Sequence, residues 1–140
     1  MKKYVYIIVL ASLLLLSACG NSRDLSTPSS RLVGHWKVKY IRELEYYFGE
    51  IDEETGKGTY AEYEAKEGSL SKGTYRVISE TPEGEDITII PMLFGYEDMP
   101  SILSNLLEMD IKIAEDGLSA KMMDFTVEYI DDKTEYEPEK

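Results

Sequence analysis

Hydrophobic and polar residues alternate along most of the chain between residues 32 and 130. Seven runs rich in Tyr, Ile, Val and Thr carry this alternation, which is typical of β-strands with one buried face. Gly, Pro and acidic residues separate nearly all of them, and such short connections predict neighbouring antiparallel strands. The runs cover residues 34–41, 43–50, 58–66, 73–80, 86–93, 109–114 and 118–130. The pattern predicts a mainly β domain.

The last run, residues 118–130, changes phase in its middle. Its apolar residues form two alternating sets that are out of step by one position: Leu118, Ala120 and Met122, then Met123, Phe125, Val127 and Tyr129. Since a slip of one residue turns side chains to the other face of a strand, we predict a β-bulge at Met122-Met123 that keeps both sets on the same face.

A four-residue repeat links two of the runs. Residues 57–60 (KGTY) recur fifteen positions later as residues 72–75. The repeat is too short and isolated for a solenoid or propeller. We therefore predict equivalent starts of two successive strands.

Residues 99–107 (MPSILSNLL) break the β pattern. Their apolar side chains recur at the spacing of one helix face, and Asp98 and Pro100 suit a helix start. We predict one short helix packed across an opening in the sheet, with an irregular buried loop as the alternative.

The first twenty residues have the plan of an export signal. Lys2 and Lys3 precede an apolar stretch that is too short for a membrane span, which needs about 20 residues. Residues 16–19 (LSAC) resemble the lipobox of bacterial lipoprotein precursors. The resemblance implies that residues 1–18 are a removed signal peptide and that Cys19 receives lipid, which attaches the protein to the outer face of the cell membrane, or to the outer membrane if the host has one.

Two polar segments flank the β domain at residues 32–130. Residues 19–31 hold the lipidated Cys19 and a Ser-, Asn- and Pro-rich stretch that we predict to be a flexible tether. Residues 131–140 are charged and are predicted to be a solvated acidic tail. Cys19 is the single cysteine, so no disulfide stabilises the domain.

The mature chain is strongly acidic. Two of the 15 Lys and Arg residues lie in the signal, so 13 remain against 27 Asp and Glu, a formal charge of −14. Nucleic acid is excluded as a partner, because phosphate binding requires a basic surface. The same charge is expected to repel anionic lipid headgroups.

Gly34-His35-Trp36 resembles the opening G-x-W strand of lipocalins and lipocalin-like domains. The resemblance implies an antiparallel up-and-down barrel of about seven or eight strands, with Trp36 at one end and a small apolar molecule in the mouth. The chain departs from lipocalins in lacking a T-D-Y element, and its last strand carries Lys121 but no arginine that would cover Trp36.

The residues that usually carry catalysis are scarce. The one histidine, His35, is expected to point outward into solvent if Trp36 points inward. The acidic run at residues 50–54 lacks the ligand spacing of a calcium loop, and zinc requires several His or Cys ligands. We therefore expect no metal, no cofactor and no enzyme activity, with a hydrolase kept as a third, low-probability option, and we name no catalytic residue.

Aromatic residues offer the best candidate binding site. Trp36, Tyr60, Tyr63 and Tyr75 are candidates for lining a ligand pocket, with packing in the core and at the sheet edge as the alternative. We predict that the protein binds a small apolar ligand. The alternative is an acidic module that docks on another envelope protein and has no ligand cavity.

Overall fold

The structure, a computed structural model, describes residues 23–39, 43–95 and 107–138. These residues form one short helix and eight strands. The elements are α1 (Pro28–Leu32), β1 (Gly34–Val38), β2 (Leu44–Phe48), β3 (Gly58–Glu64), β4 (Ser69–Glu80), β5 (Asp86–Leu93), β6 (Met109–Ile113), β7 (Ser119–Met122) and β8 (Phe125–Asp131).

The eight strands close into an up-and-down barrel. Each strand pairs antiparallel with the next, and β8 returns to pair with β1. The predicted mainly β, lipocalin-like barrel is therefore confirmed. All eight strands overlap the seven predicted runs, with β7 and β8 sharing the last one, because period-two alternation is imposed by a core on one face of the sheet.

Apolar side chains from all eight strands fill the barrel interior. Its largest buried residues are aromatic, and Phe48 contacts both Tyr60 and Tyr75, with ring centroids 5.4 and 5.3 Å away. An eight-stranded barrel is just wide enough for side chains to fill it. The core comprises Leu32, Trp36, Val38, Tyr46, Phe48, Tyr60, Tyr75, Ile87, Ile89, Met109, Ile111, Ile113, Ala120, Met122 and Val127.

The predicted bulge at Met122-Met123 is wrong, because the last run is two strands joined by a tight turn. Met122 pairs with Phe125, so Met123 and Asp124 form a two-residue connection. Residues 122 and 125 face the same way although they are three positions apart, which produces the change of phase. Pairing is irregular elsewhere, between His35 and Trp36 and between Val77 and Ser79.

The two copies of the repeat pair with each other. Gly58 lies opposite Tyr75, and Tyr60 lies opposite Gly73. A Cβ atom at Gly58 would lie 2.5 Å from Cε1 of Tyr75, so glycine leaves room for that ring. The second copy lies inside β4, which starts at Ser69, so the two copies are not equivalent strand starts.

The barrel has two different ends. The helix end carries α1 together with the β2–β3, β4–β5 and β6–β7 connections; the far end carries the other four hairpin connections. The helix predicted at residues 99–107 lies, except for Leu107, outside the described residues, as do Cys19 and the predicted signal peptide. Within the described ranges, no helix is long and apolar enough to cross a membrane.

The predicted tether is shorter than expected, because residues 23–31 are packed against the barrel. Thr27 caps α1: its hydroxyl accepts from the Ser30 amide at 3.2 Å, and Ser30 Oγ accepts from the Thr27 amide at 3.0 Å. Pro28 fits the first helical turn, where no amide donor is needed. Pro28 and Leu32 are buried, so the folded domain begins before residue 32.

Candidate functional site

Trp36 seals the helix end from inside. Its side chain is fully buried, and the indole Nε1 donates to the Leu32 carbonyl at 2.8 Å. Its ring meets the edge of Tyr129 at a centroid distance of 5.5 Å. A buried indole needs an acceptor for its N–H, and the last residue of α1 supplies it.

Arg23 covers this end from outside. Its guanidinium carbon lies 3.5 Å from the Tyr129 ring centroid and 6.0 Å from that of Trp36. Nη1 donates to the Gly117 carbonyl at 2.9 Å and Nη2 to the Arg31 carbonyl at 2.7 Å. Partial burial lowers the pKa of Arg23 from its usual value. The arginine missing from the last strand is thus supplied by the N-terminal segment.

Arg31 is buried and fastens α1 to two hairpins. Its guanidinium donates to the carbonyls of Gly84 at 2.6 Å, Ile113 at 3.1 Å and Ala114 at 3.3 Å. Sequence analysis missed both arginines because they lie in a polar stretch. Thr27-Pro28 is typical of the start of a capped helix, and this pattern could have predicted α1 and so placed Arg31 in a folded element.

Tyr60 and Tyr75 lie inside the barrel with their hydroxyls already bonded. Tyr75 donates to the Gly49 carbonyl at 2.6 Å, and Tyr60 donates to the carboxylate of Glu62. Burial raises the pKa of both phenols. Both side chains therefore belong to the packed core, and neither hydroxyl is directed at open space.

Tyr63 lies on the outer face, away from the other three candidates. Its ring stacks on Tyr136 at a centroid distance of 4.0 Å, and Tyr136 also meets Tyr47 at 6.2 Å. The predicted solvated tail is therefore wrong at two points: Asp131 ends β8, and Tyr136 packs on the barrel wall.

His35 points outward, but it is covered rather than exposed to solvent as we expected. It stacks on Tyr47 at a centroid distance of 4.3 Å. Nε2 lies 2.6 Å from a Glu45 oxygen and Nδ1 lies 3.2 Å from an Asp131 oxygen. The two carboxylates contact opposite ring nitrogens, and no cluster of His, Cys, Asp or Glu suited to a metal occurs among the described residues.

The far end also carries partly buried and exposed apolar side chains. The inward side chains of Leu44, Leu93 and Phe125 are only partly buried there. Phe94 and Leu107, which flank the β5–β6 connection, are 62% and 39% exposed, and Met123 is 54% exposed. The five residues Leu44, Leu93, Phe94, Leu107 and Phe125 are called the apolar rim below.

A depression of about 370 Å³ lies outside the barrel, on the solvent face of β5, β6 and β7. Its charged side chains are of both signs: Asp86 pairs with Lys112, and Lys112 pairs with a second lysine, Lys121. Thr88 donates to Asp110 at 2.6 Å at its floor. This polar surface differs in character from the apolar rim.

The fold and its sites define a class, a closed eight-stranded up-and-down barrel that is plugged at one end by a short helix. No family model, curated protein or solved structure matches the chain. Its function is therefore argued from its own residues.

Proposed function

We propose that the protein is a lipoprotein, anchored through Cys19 on the outer side of a membrane, that binds a small apolar ligand at the far end of its barrel. The plug at the helix end and the apolar side chains at the far end support this proposal. Trp36, Leu32, Arg23 and Arg31 close the helix end, whereas the far end keeps partly buried interior side chains next to exposed ones.

The ligand lies above the aromatic core rather than within it. Tyr46, Phe48 and Tyr60 form a layer with ring centroids 5.4 to 6.4 Å apart, which is the floor of the binding region. The apolar rim surrounds this floor. Such a site is shallow, and it suits an acyl chain or a flat ring better than a large ligand.

Fluorescence titration with a dansyl-labelled fatty acid tests the proposal. The mature chain from Gly20 keeps every described residue, and its single tryptophan, Trp36, is the energy donor. Phe94→Ser and Leu107→Ser should each weaken binding about tenfold, because burial of a large apolar side chain contributes about 1.5–3 kcal/mol.

Matched controls lie at the helix end. Leu118 and Leu25 are 58% and 39% exposed, close to Phe94 and Leu107 at 62% and 39%. Leu118→Ser and Leu25→Ser should leave affinity unchanged. An equal loss of affinity in the far-end variants and in the helix-end variants would refute a site at the far end. So would the absence of saturable energy transfer with probes of several chain lengths.

A second candidate is an acidic interaction module with a filled core. The packing of Tyr60 on Phe48 favours it, as do the hydroxyls of Tyr60 and Tyr75. Both hydroxyls already have hydrogen-bond partners, so neither is available to a ligand in this part of the barrel interior. Crosslinking on intact cells should then recover one reproducible envelope protein, and binding to that protein should weaken in salt.

A further inference from the structure

Arg23, the first described residue, is fixed to the helix end of the barrel. Its Nη1 donates a hydrogen bond to the Gly117 carbonyl at 2.9 Å, and its guanidinium lies over the ring of Tyr129. Leu25 packs against the same glycine: a Cβ atom at Gly117 would lie only 2.7 Å from Leu25 Cδ2. The chain therefore reaches the barrel at the β6–β7 turn and not at α1.

Three residues separate Cys19 from Arg23 in the sequence. Four Cα–Cα steps of about 3.8 Å span at most about 15 Å, whatever conformation they adopt. A tether that extended to residue 31 would allow the barrel to turn freely above the membrane. The shorter connection keeps the helix end close to the lipid.

Two exposed leucines stand beside this attachment. Leu118 follows Gly117 and is largely exposed, and Leu25 packs on the same turn with part of its surface exposed. Glu115 and Asp116 in the same turn are also exposed. This combination fits a zwitterionic lipid surface, because anionic headgroups would repel the two carboxylates.

We propose that the barrel stands on the membrane with its helix end down, with Leu25 and Leu118 at the lipid interface and the far end directed away from the bilayer. This orientation rests on the proposed lipid attachment of Cys19. It presents the apolar rim to molecules arriving from outside rather than to the membrane.

Position-specific quenching tests the orientation in the full-length, lipidated protein inserted into phosphatidylcholine vesicles. Leu118→Cys and Met123→Cys place a fluorophore in turns at opposite ends, at side chains that are 58% and 54% exposed. Cys19 is the only native cysteine and carries lipid, so labelling is specific. The two labelled positions are about 13 Å apart along the barrel axis, from five residues along β7 at about 3.3 Å each and a tilt of about 40°.

A headgroup-linked nitroxide lipid should quench the label at position 118 and leave the label at position 123 nearly unquenched. Equal quenching, or stronger quenching at position 123, would overturn the orientation. Vesicle flotation separates this failure from loss of the anchor, because unlipidated protein would not float at all. Trp36 fluorescence verifies that each variant is folded.

An insertion tests the short connection directly. A twelve-residue Gly-Ser segment between Ser22 and Arg23 should preserve flotation but make quenching at the two positions similar, since the added chain extends the reach by roughly 20 Å. If the difference between the two labels survived the insertion, the short connection would not be its cause.

Discussion

Single side chains at the helix end contact segments that are distant in the sequence. Arg31 is buried without a carboxylate among its hydrogen-bond partners, and its guanidinium donates to four backbone carbonyls, those of Thr27, Gly84, Ile113 and Ala114. Shortening the side chain removes the guanidinium donors to the Gly84 and Ile113 carbonyls, whereas the Ala114 carbonyl keeps the Gly117 amide as a donor. This makes Arg31 a strong determinant of stability, although its sequence context is that of a linker.

Arg31→Ala should lower the free energy of unfolding by about 3 kcal/mol, because it leaves buried carbonyls unpaired and opens a void beneath α1. Urea unfolding followed by Trp36 fluorescence measures the loss. Arg76→Ala, on the exposed face of β4, is the matched control and should change stability by about 0.5 kcal/mol or less. A similar effect at both positions would contradict the role assigned to Arg31.

At the scale of elements, alternation predicted the strands well because each strand has one face in the core. It failed at residues 122–125, where a two-residue turn and a bulge produce the same change of phase. Asp124 is a common turn residue, but Met123 is an unusual one, and this hid the turn.

The β7–β8 turn holds Met123 at a φ of 52°, in the region that favours glycine. A positive φ at the first of two turn residues is typical of a type II′ hairpin. Met123→Gly should therefore raise the free energy of unfolding by about 0.5 kcal/mol in urea titrations. Asp124→Gly, at the neighbouring position without positive φ, should lower the free energy of unfolding by about 0.5 kcal/mol. If both substitutions raised the free energy of unfolding, the positive φ of Met123 would not be the cause.

Contacts between distant segments could not be predicted in the same way. Neither the pairing of Tyr63 with Tyr136 nor the contact of Arg23 with Gly117 leaves a periodic pattern in the sequence, since each joins residues that are far apart along the chain. The candidate tyrosines were identified by strand position. The bond from Tyr60 to Glu62 is local to β3, whereas the bond from Tyr75 to the Gly49 carbonyl joins residues 26 positions apart and depends on how β2, β3 and β4 pair.

At the scale of the whole molecule, the proposed lipid attachment of Cys19 would determine where the barrel acts. Cys19→Ser should leave the precursor uncleaved or without lipid, because the thiol that receives the diacylglyceryl group is gone. Fractionation and metabolic labelling with a fatty acid measure the change. Ser17→Thr, a small change just upstream, should preserve labelling; normal processing of the Cys19 variant would refute lipid attachment.

The buried tyrosines predict sensitivity to alkali. Burial raises the pKa of Tyr60 and Tyr75, while Tyr47 and Tyr129 shift the same way. The unfolded chain therefore releases phenol protons at lower pH than the folded one. Their contribution to stability is complete below about pH 10 and is lost as pH rises above it.

Urea unfolding at about pH 8 and about pH 11 tests this sensitivity, with tyrosinate absorbance as a second measurement. Stability should fall at the higher pH, and Tyr75→Phe should reduce the fall because one buried phenol is removed. Equal stability at the two pH values in the unaltered protein would show that the phenols titrate normally in the fold.

In the export that the proposed signal peptide implies, closure of the barrel sets an order for folding. β1 leaves the translocation channel early, yet its second partner, β8, ends at Asp131 and arrives last. Until then, the growing sheet has two open edges beside the membrane, where neighbouring chains can pair with them. The contacts of Arg31 and Arg23 with Gly84 and Gly117 also wait for the later hairpins. The cell must therefore shield this chain until its final strand has emerged.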